Sequence, residues 1–301
     1  MRKLLYSVAT LVLFACGGED TKQKDITINV DVPQKEEERA VSARTLKELK
    51  NASKVVYTLP SPVEMADILH ETKAVYDVAI LNDPNAIDNY ITDFKRSLNL
   101  GVYFADLSFT SMFDYPQEAM KFMGAAQAMS DELNIQGVFT DEVMMRLEEN
   151  MSNKDSLMDI VASTYMDTDL YLQDNERPIV AKAILAGAWM EGLYIAVNLK
   201  TESERESLIW QKIGEQKPAL INLVKMLKEC EDKQFDSMIV ELETLVTIFD
   251  EVKLDYKSDT NSTDEASKTT TLGTSLKVDI SEDTYKKIQA KTTQIRNSLT
   301  E

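Results

Sequence analysis

The stretch DPNAIDNYITDFKRSLNLGVYFADLSF, residues 83–109, decides the fold. Ile87, Tyr90, Ile91, Phe94, Leu98, Val102, Ala105 and Phe109 recur at spacings of three and four, which lays one continuous apolar stripe along a helix. From Leu100 a second stripe opens with Tyr103, Phe104 and Leu107, so this half is apolar nearly all round and predicts a central, buried helix. Asp83-Pro84 reads as its start, a capping side chain followed by a proline that suits the first helical position.

The same periodicity continues on both sides. Ser61-Pro62-Val63-Glu64 combines a cap, a proline and the glutamate of a capping box, and Thr201-Glu202-Ser203-Glu204 is a second such box. Amphipathic faces follow at Ala119, Phe122, Met123, Ala126 and Leu133, at Val143, Met144 and Leu147, and at Leu157, Ile160, Val161, Thr164 and Tyr165. Pro178 opens a second strongly apolar helix, with Ile179, Val180, Ala183, Ile184, Gly187, Tyr194 and Ile195. Two more faces close the series, one from Leu220 to Leu227 and one from Phe235 to Val252. Connections are short, which favours antiparallel neighbours. The expected fold is all-α, an antiparallel multi-helix bundle or a helical-repeat-like array.

An offset of 86 positions relates two segments. Asp88-Asn89 matches Asp174-Asn175, Gly101 matches Gly187, Tyr103 matches Trp189 and Leu107 matches Leu193. An internal repeat of this kind would give two pseudo-symmetric halves. A glycine inside a helix costs about 1 kcal/mol relative to alanine, which close approach of a neighbouring helix can offset. Gly101 and Gly187 are therefore expected at a tight crossing of the two central helices.

The chemistry on offer is sparse. His70 is the only histidine, which excludes two-histidine metal sites, and no Gly-x-Ser-x-Gly elbow accompanies it. Glycine-rich phosphate loops are missing, and Asp167-Thr168-Asp169 lacks the glycine and glutamate that a calcium loop requires. Catalytic residues, metal ligands and cofactors are thus expected to be none, and the chain reads as not an enzyme. The best candidate is a polar–aromatic mixture on the central helices, Tyr103, Asp106, Trp189, Glu191 and Tyr194, because carboxylates on apolar helices are costly unless paired. Three readings stand for these residues: pairing with neighbouring helices, an exposed edge, or the lining of a small-molecule pocket between the central helices.

The ends carry an address. Arg2 and Lys3 precede an almost uncharged apolar run from Leu4 to Phe14, too short to span a bilayer, and Leu13-Phe14-Ala15-Cys16 follows. This order resembles the lipobox of bacterial lipoproteins, which implies cleavage of residues 1–15 and acylation, palmitate included, at Cys16. The Gly17-Gly18-Glu19-Asp20 that follows resembles the acidic stretch behind the lipidated cysteine of Bacteroidota surface lipoproteins. The implied location is the outer membrane, with the cell surface preferred over the periplasmic face. Residues 16–39 read as a flexible acidic tether, 40–256 as the helical domain, 257–278 as a Ser/Thr-rich linker and 279–301 as a C-terminal helix docked on the surface.

The formal net charge of −18 argues against nucleic acid and anionic lipid head groups as partners. The membrane would be met through the N-terminal lipid alone, with an envelope protein as partner. With Cys16 acylated, Cys230 has no mate for an intrachain disulfide. Residues 57–64, 98–103 and 187–194, reading Tyr57-Thr58-Leu59-Pro60-Ser61-Pro62-Val63-Glu64, Leu98-Asn99-Leu100-Gly101-Val102-Tyr103 and Gly187-Ala188-Trp189-Met190-Glu191-Gly192-Leu193-Tyr194, resemble an uncharacterised family of helical lipoproteins of Bacteroidota. The resemblance implies the address and the fold and carries over no catalytic residue.

Overall fold

The computed structural model describes residues 59–200, 206–258, 262–264, 269–271 and 274–301, all within one compact unit, Glu48–Glu301. The leader, the tether, the start of the helical domain and the Thr201 capping box lie outside the described residues.

The fold is all-α. Its helices are α1 (Pro62–Glu71), α2 (Asp93–Met112), α3 (Pro116–Glu132), α4 (Asp141–Glu149), α5 (Lys154–Asp174), α6 (Pro178–Asn198), α7 (Glu206–Gly214), α8 (Lys217–Lys228), α9 (Asp236–Phe249) and α10 (Glu282–Thr300). Their boundaries follow local chemistry. Ser61 caps α1 through a full capping box: its Oγ accepts from Glu64 N at 3.2 Å, and Glu64 Oε2 accepts from Ser61 N at 2.7 Å. Prolines occupy the first turn of α1, α3, α6 and α8, where a missing N–H breaks no bond. Ser281 caps α10, accepting from Thr284 N at 3.1 Å.

Helices α2 and α6 form the centre and pack on each other more extensively than any other pair of elements described. From Ser97 to Met112 every residue of α2 is buried. At the crossing the glycines act as expected. A Cβ on Gly101 would stand 1.9 Å from Ile184 O, and one on Gly187 would stand 1.9 Å from Leu98 O. Residue numbers run in opposite senses across this seam, so the pair is antiparallel. Leu98 and Ile184 differ by the same 86 positions as the glycines, which makes the crossing locally two-fold symmetric. The symmetry does not extend to the segments before it. Asp88-Asn89 lies in a 3₁₀ turn, Ala86–Asn89, whereas Asp174 ends the 21-residue helix α5.

Three expectations are corrected. The central helix begins at Asp93, capped by Thr92, whose hydroxyl accepts from Lys95 N at 3.1 Å; Asp83 instead folds onto Asn85 N at 2.9 Å and opens a loop. Ile91, on the expected stripe, is 75% exposed, because it precedes the helix. Second, the 257–278 region carries strands rather than linker alone: β1 (Lys253–Ser258) pairs antiparallel with β4 (Thr274–Asp279), and β2 (Ser262–Asp264) with β3 (Thr269–Thr271). Threonine-rich polar sequence suits a two-stranded ribbon with little to bury. Third, α10 is part of the core. Ile288, Thr292, Ile295, Arg296 and Leu299 are buried against α2, α6 and α9.

Helix α6 is long and apolar enough to cross a membrane by composition, yet 67% of its most apolar window is buried inside the protein. It packs on α1, α2, α5, α7 and α10, the pattern of a core helix.

Candidate functional site

Tyr103 and Asp106 lie one turn apart on α2, and Glu191 and Tyr194 one turn apart on α6, so each pair shares a helix face. Both carboxyl groups are fully buried. Helix α10 brings Arg296 to them. Its Nε donates to Glu191 Oε2 at 2.9 Å and its Nη2 to Glu191 Oε1 at 3.1 Å, a two-pronged fork that satisfies both carboxylate oxygens. The guanidinium also lies 4.6 Å from the centre of the Tyr194 ring, a cation–π contact. Burial works against the charge of Arg296, and the Glu191 carboxylate overcomes it, so the guanidinium stays protonated throughout.

Asp106 has a poorer set of partners. Its Oδ2 accepts from Asn82 N at 3.1 Å, while its Oδ1 is buried without a donor. Burial first, and the neighbouring Glu191 second, push its carboxyl well above the usual range, with Arg296 opposing. Burial also raises Glu191, but Arg296 pulls it back by its charge and its hydrogen bonds. Two neighbouring buried carboxyl groups that share one cation do not both ionise, so one of them keeps a proton. The partner sets assign that proton to Asp106 and the charge to Glu191. Arg296 then balances the one negative charge, and the cluster is neutral.

The loop before α2 closes this cluster. Asn82 Nδ2 donates to Tyr90 Oη at 3.0 Å, and Tyr103 Oη donates to Asp83 O at 2.9 Å. Burial raises the phenols of both tyrosines. Neither is a source of charge at neutral pH.

Four of the five candidate residues, Tyr103, Asp106, Glu191 and Tyr194, therefore come together. Trp189 does not. It is buried with its Nε1 unpartnered, and two helical positions, about 200°, separate it from Glu191 round α6. At Gly101 and Gly187, α2 and α6 approach too closely for even a Cβ to stand between them. Sequence reasoning missed Arg296, Asn82 and Tyr90. The signal for Arg296 was its place in register with Ile288, Thr292 and Leu299, on a stripe whose gaps looked like weakness.

Elsewhere the chemistry is modest. His70 is exposed, with its Nε2 3.3 Å from Lys154 Nζ and its ring edge-on to Phe113. Among the described residues no group of three or more His, Cys, Asp or Glu is placed to hold a metal ion. A shallow groove on α8, lined by Ile221, Val224, Lys225 and Lys228, shares no residue with the buried cluster. Comparison with protein-family models, with curated proteins and with solved structures finds no match.

Proposed function

We propose that this chain is a lipid-anchored lipoprotein of the bacterial cell envelope, held to the outer membrane through Cys16, whose helical body serves as a non-enzymatic binding or scaffold module. The address rests on the Leu13-Phe14-Ala15-Cys16 sequence behind a short apolar run. Several acyl chains on one cysteine anchor firmly, since each buried CH₂ contributes about 0.8 kcal/mol. The Gly17-Gly18-Glu19-Asp20 that follows favours the cell surface.

One observation carries the scaffold reading: the carboxyl groups of the two central helices are turned inward on the protein itself. Glu191 is bound on both oxygens by Arg296, and Asp106 accepts from Asn82 N. Their role is to join three helices and a loop, not to face a substrate. What is left for partners is the outer surface, where Val75, Val78, Met166, Leu170 and Val240 are each more than half exposed.

The test is made in cells that express the chain. Cys16→Ala should move it from the membrane fraction to the soluble one. Crosslinking with the wild type should recover one envelope protein reproducibly, and the soluble variant should not. Unchanged fractionation of Cys16→Ala removes the anchor, and the absence of any recurring partner across crosslinkers removes the scaffold.

A further inference from the structure

Asp106 and Glu191 are unequal neighbours. Glu191 has both oxygens on a guanidinium, while Asp106 has one backbone donor and a second oxygen buried with none. Asp106 is fully buried, one of its oxygens meets no donor, and the cation beside it is taken by Glu191, so the closed structure keeps on Asp106 a proton that an exposed aspartate would release at neutral pH. We propose that the segment Leu81–Tyr90 is a cap gated by this proton, closed while Asp106 holds it and lifted when it leaves.

The surroundings say why the cap gives way rather than the helices. Around the pair stand Tyr103 from α2, Tyr194 from α6, Arg296 from α10, Tyr76 from the segment after α1 and Tyr90 from the cap, with Asp77 beside Tyr76 and Asp83 beside Tyr103. Arg296 is the one cation among them, and Glu191 already takes it. A charge on Asp106 would therefore need water. Helices α2 and α6 pack on each other more extensively than any other pair of elements described, so parting them to admit it costs more than moving a loop. Helix α10 is held the more firmly when a second negative charge faces Arg296. The cap is the element that bonds Asp106 directly, through Asn82 N. It contains a 3₁₀ turn, Ala86–Asn89, and is tied to the cluster by the Asn82 and Tyr103 hydrogen bonds and by the buried side chains of Leu81 and Tyr90.

The sign follows from linkage. The closed cap keeps a proton that the open one gives up, because burial raises Asp106 in the closed form. The ratio of open to closed thus rises with pH, about tenfold per unit, between about pH 4, where an exposed aspartate titrates, and the higher value of the closed pair. Outside that window it is flat.

Amide hydrogen exchange on the full chain reads this directly, since Asn82 N–H is the bond that breaks. Between pH 5 and 8, after correction for intrinsic exchange, the opening constant at Asn82 should rise with pH, by up to about tenfold per unit, while amides in the middle of α2 and α6 keep theirs. In Asp106→Asn the slope should vanish, because the carboxamide cannot ionise. A pH-independent opening constant in the wild type, or the same slope in Asp106→Asn, overturns the proposal. Should that variant fail to fold, the infrared C=O stretch of a protonated carboxyl decides on the wild type: its presence at pH 5 and decline by pH 8, in step with Asn82 exchange, is the expected result. Its absence at pH 5 overturns the cap.

Discussion

Gly101→Ala tests the central crossing. The added methyl would stand 1.9 Å from Ile184 O and 2.7 Å from Ala188 N, where ordinary contact is 3.4–4 Å. Both neighbours are backbone atoms, so no side chain can turn aside, and relief requires the helices to move apart by about 1.5 Å. A gap of 0.5–1 Å already forfeits about a quarter to a half of each dispersion contact at the seam. Overpacking in cores costs about 1–3 kcal/mol where side chains can adjust; here they cannot, so the upper end or beyond applies. Against this stands about 1 kcal/mol of helix propensity gained on replacing glycine. The net expectation is a loss of about 2–4 kcal/mol, read from urea unfolding followed by far-UV circular dichroism. Gly187→Ala meets Leu98 O at the same 1.9 Å and should cost as much. The double variant should cost well under the sum of the two, because helices separated once make room for both methyls. Gly124→Ala is the control, with nothing within 4 Å of its added Cβ, and should stabilise by about 0.5–1 kcal/mol. A Gly101→Ala protein as stable as the wild type, or full additivity with Gly187→Ala, would refute a crossing set by backbone contact.

Arg296→Ala leaves Glu191 buried without its cation and should cost about 3–5 kcal/mol in urea unfolding. Replacing both partners, Glu191→Gln with Arg296→Met, should cost clearly less than Arg296→Ala alone. Stability should also fall as pH rises, because Asp106 titrates above its ordinary value in the fold and the unfolded chain releases its proton first. The contribution is complete below about pH 4 and is lost at up to about 1.4 kcal/mol per unit above it, so Asp106→Asn should gain on the wild type between pH 5 and 8. Ser281→Ala removes the cap of α10 and should lower the melting midpoint by the equivalent of about 1 kcal/mol.

Much of the centre was legible because its signals were periodic. The stripe from Leu98 to Phe109 could be satisfied only by a buried helix, and two glycines in such helices had to be explained by close approach. The start of that helix was not legible. Asp83-Pro84 and Thr92-Asp93 are both good starts, and what decides between them is remote: Asn82 and Tyr90 are drawn off to cover Asp106, 24 residues from Asn82 in sequence. Helix α10 was misplaced for a related reason. Its seam uses Thr292 and Arg296 where a simpler core would use leucine, and a buried arginine looks like an exposed one until its carboxylate is known. The ribbon of β1 and β4 does alternate, with Leu254 and Tyr256 on one strand and Leu276 and Val278 on the other, but each run is too short to stand out beside the helical stripes and the Ser/Thr-rich sequence between them reads as linker.

The contact of Gly101 with Ile184 and of Gly187 with Leu98 has one more property. Side-chain interfaces can slip between rotamers, but backbone against backbone has no such alternatives. The spacing of the two central helices is therefore set by main chain at this point and not by a choice of rotamers, which makes it a fixed reference from which the positions of the surrounding helices are measured.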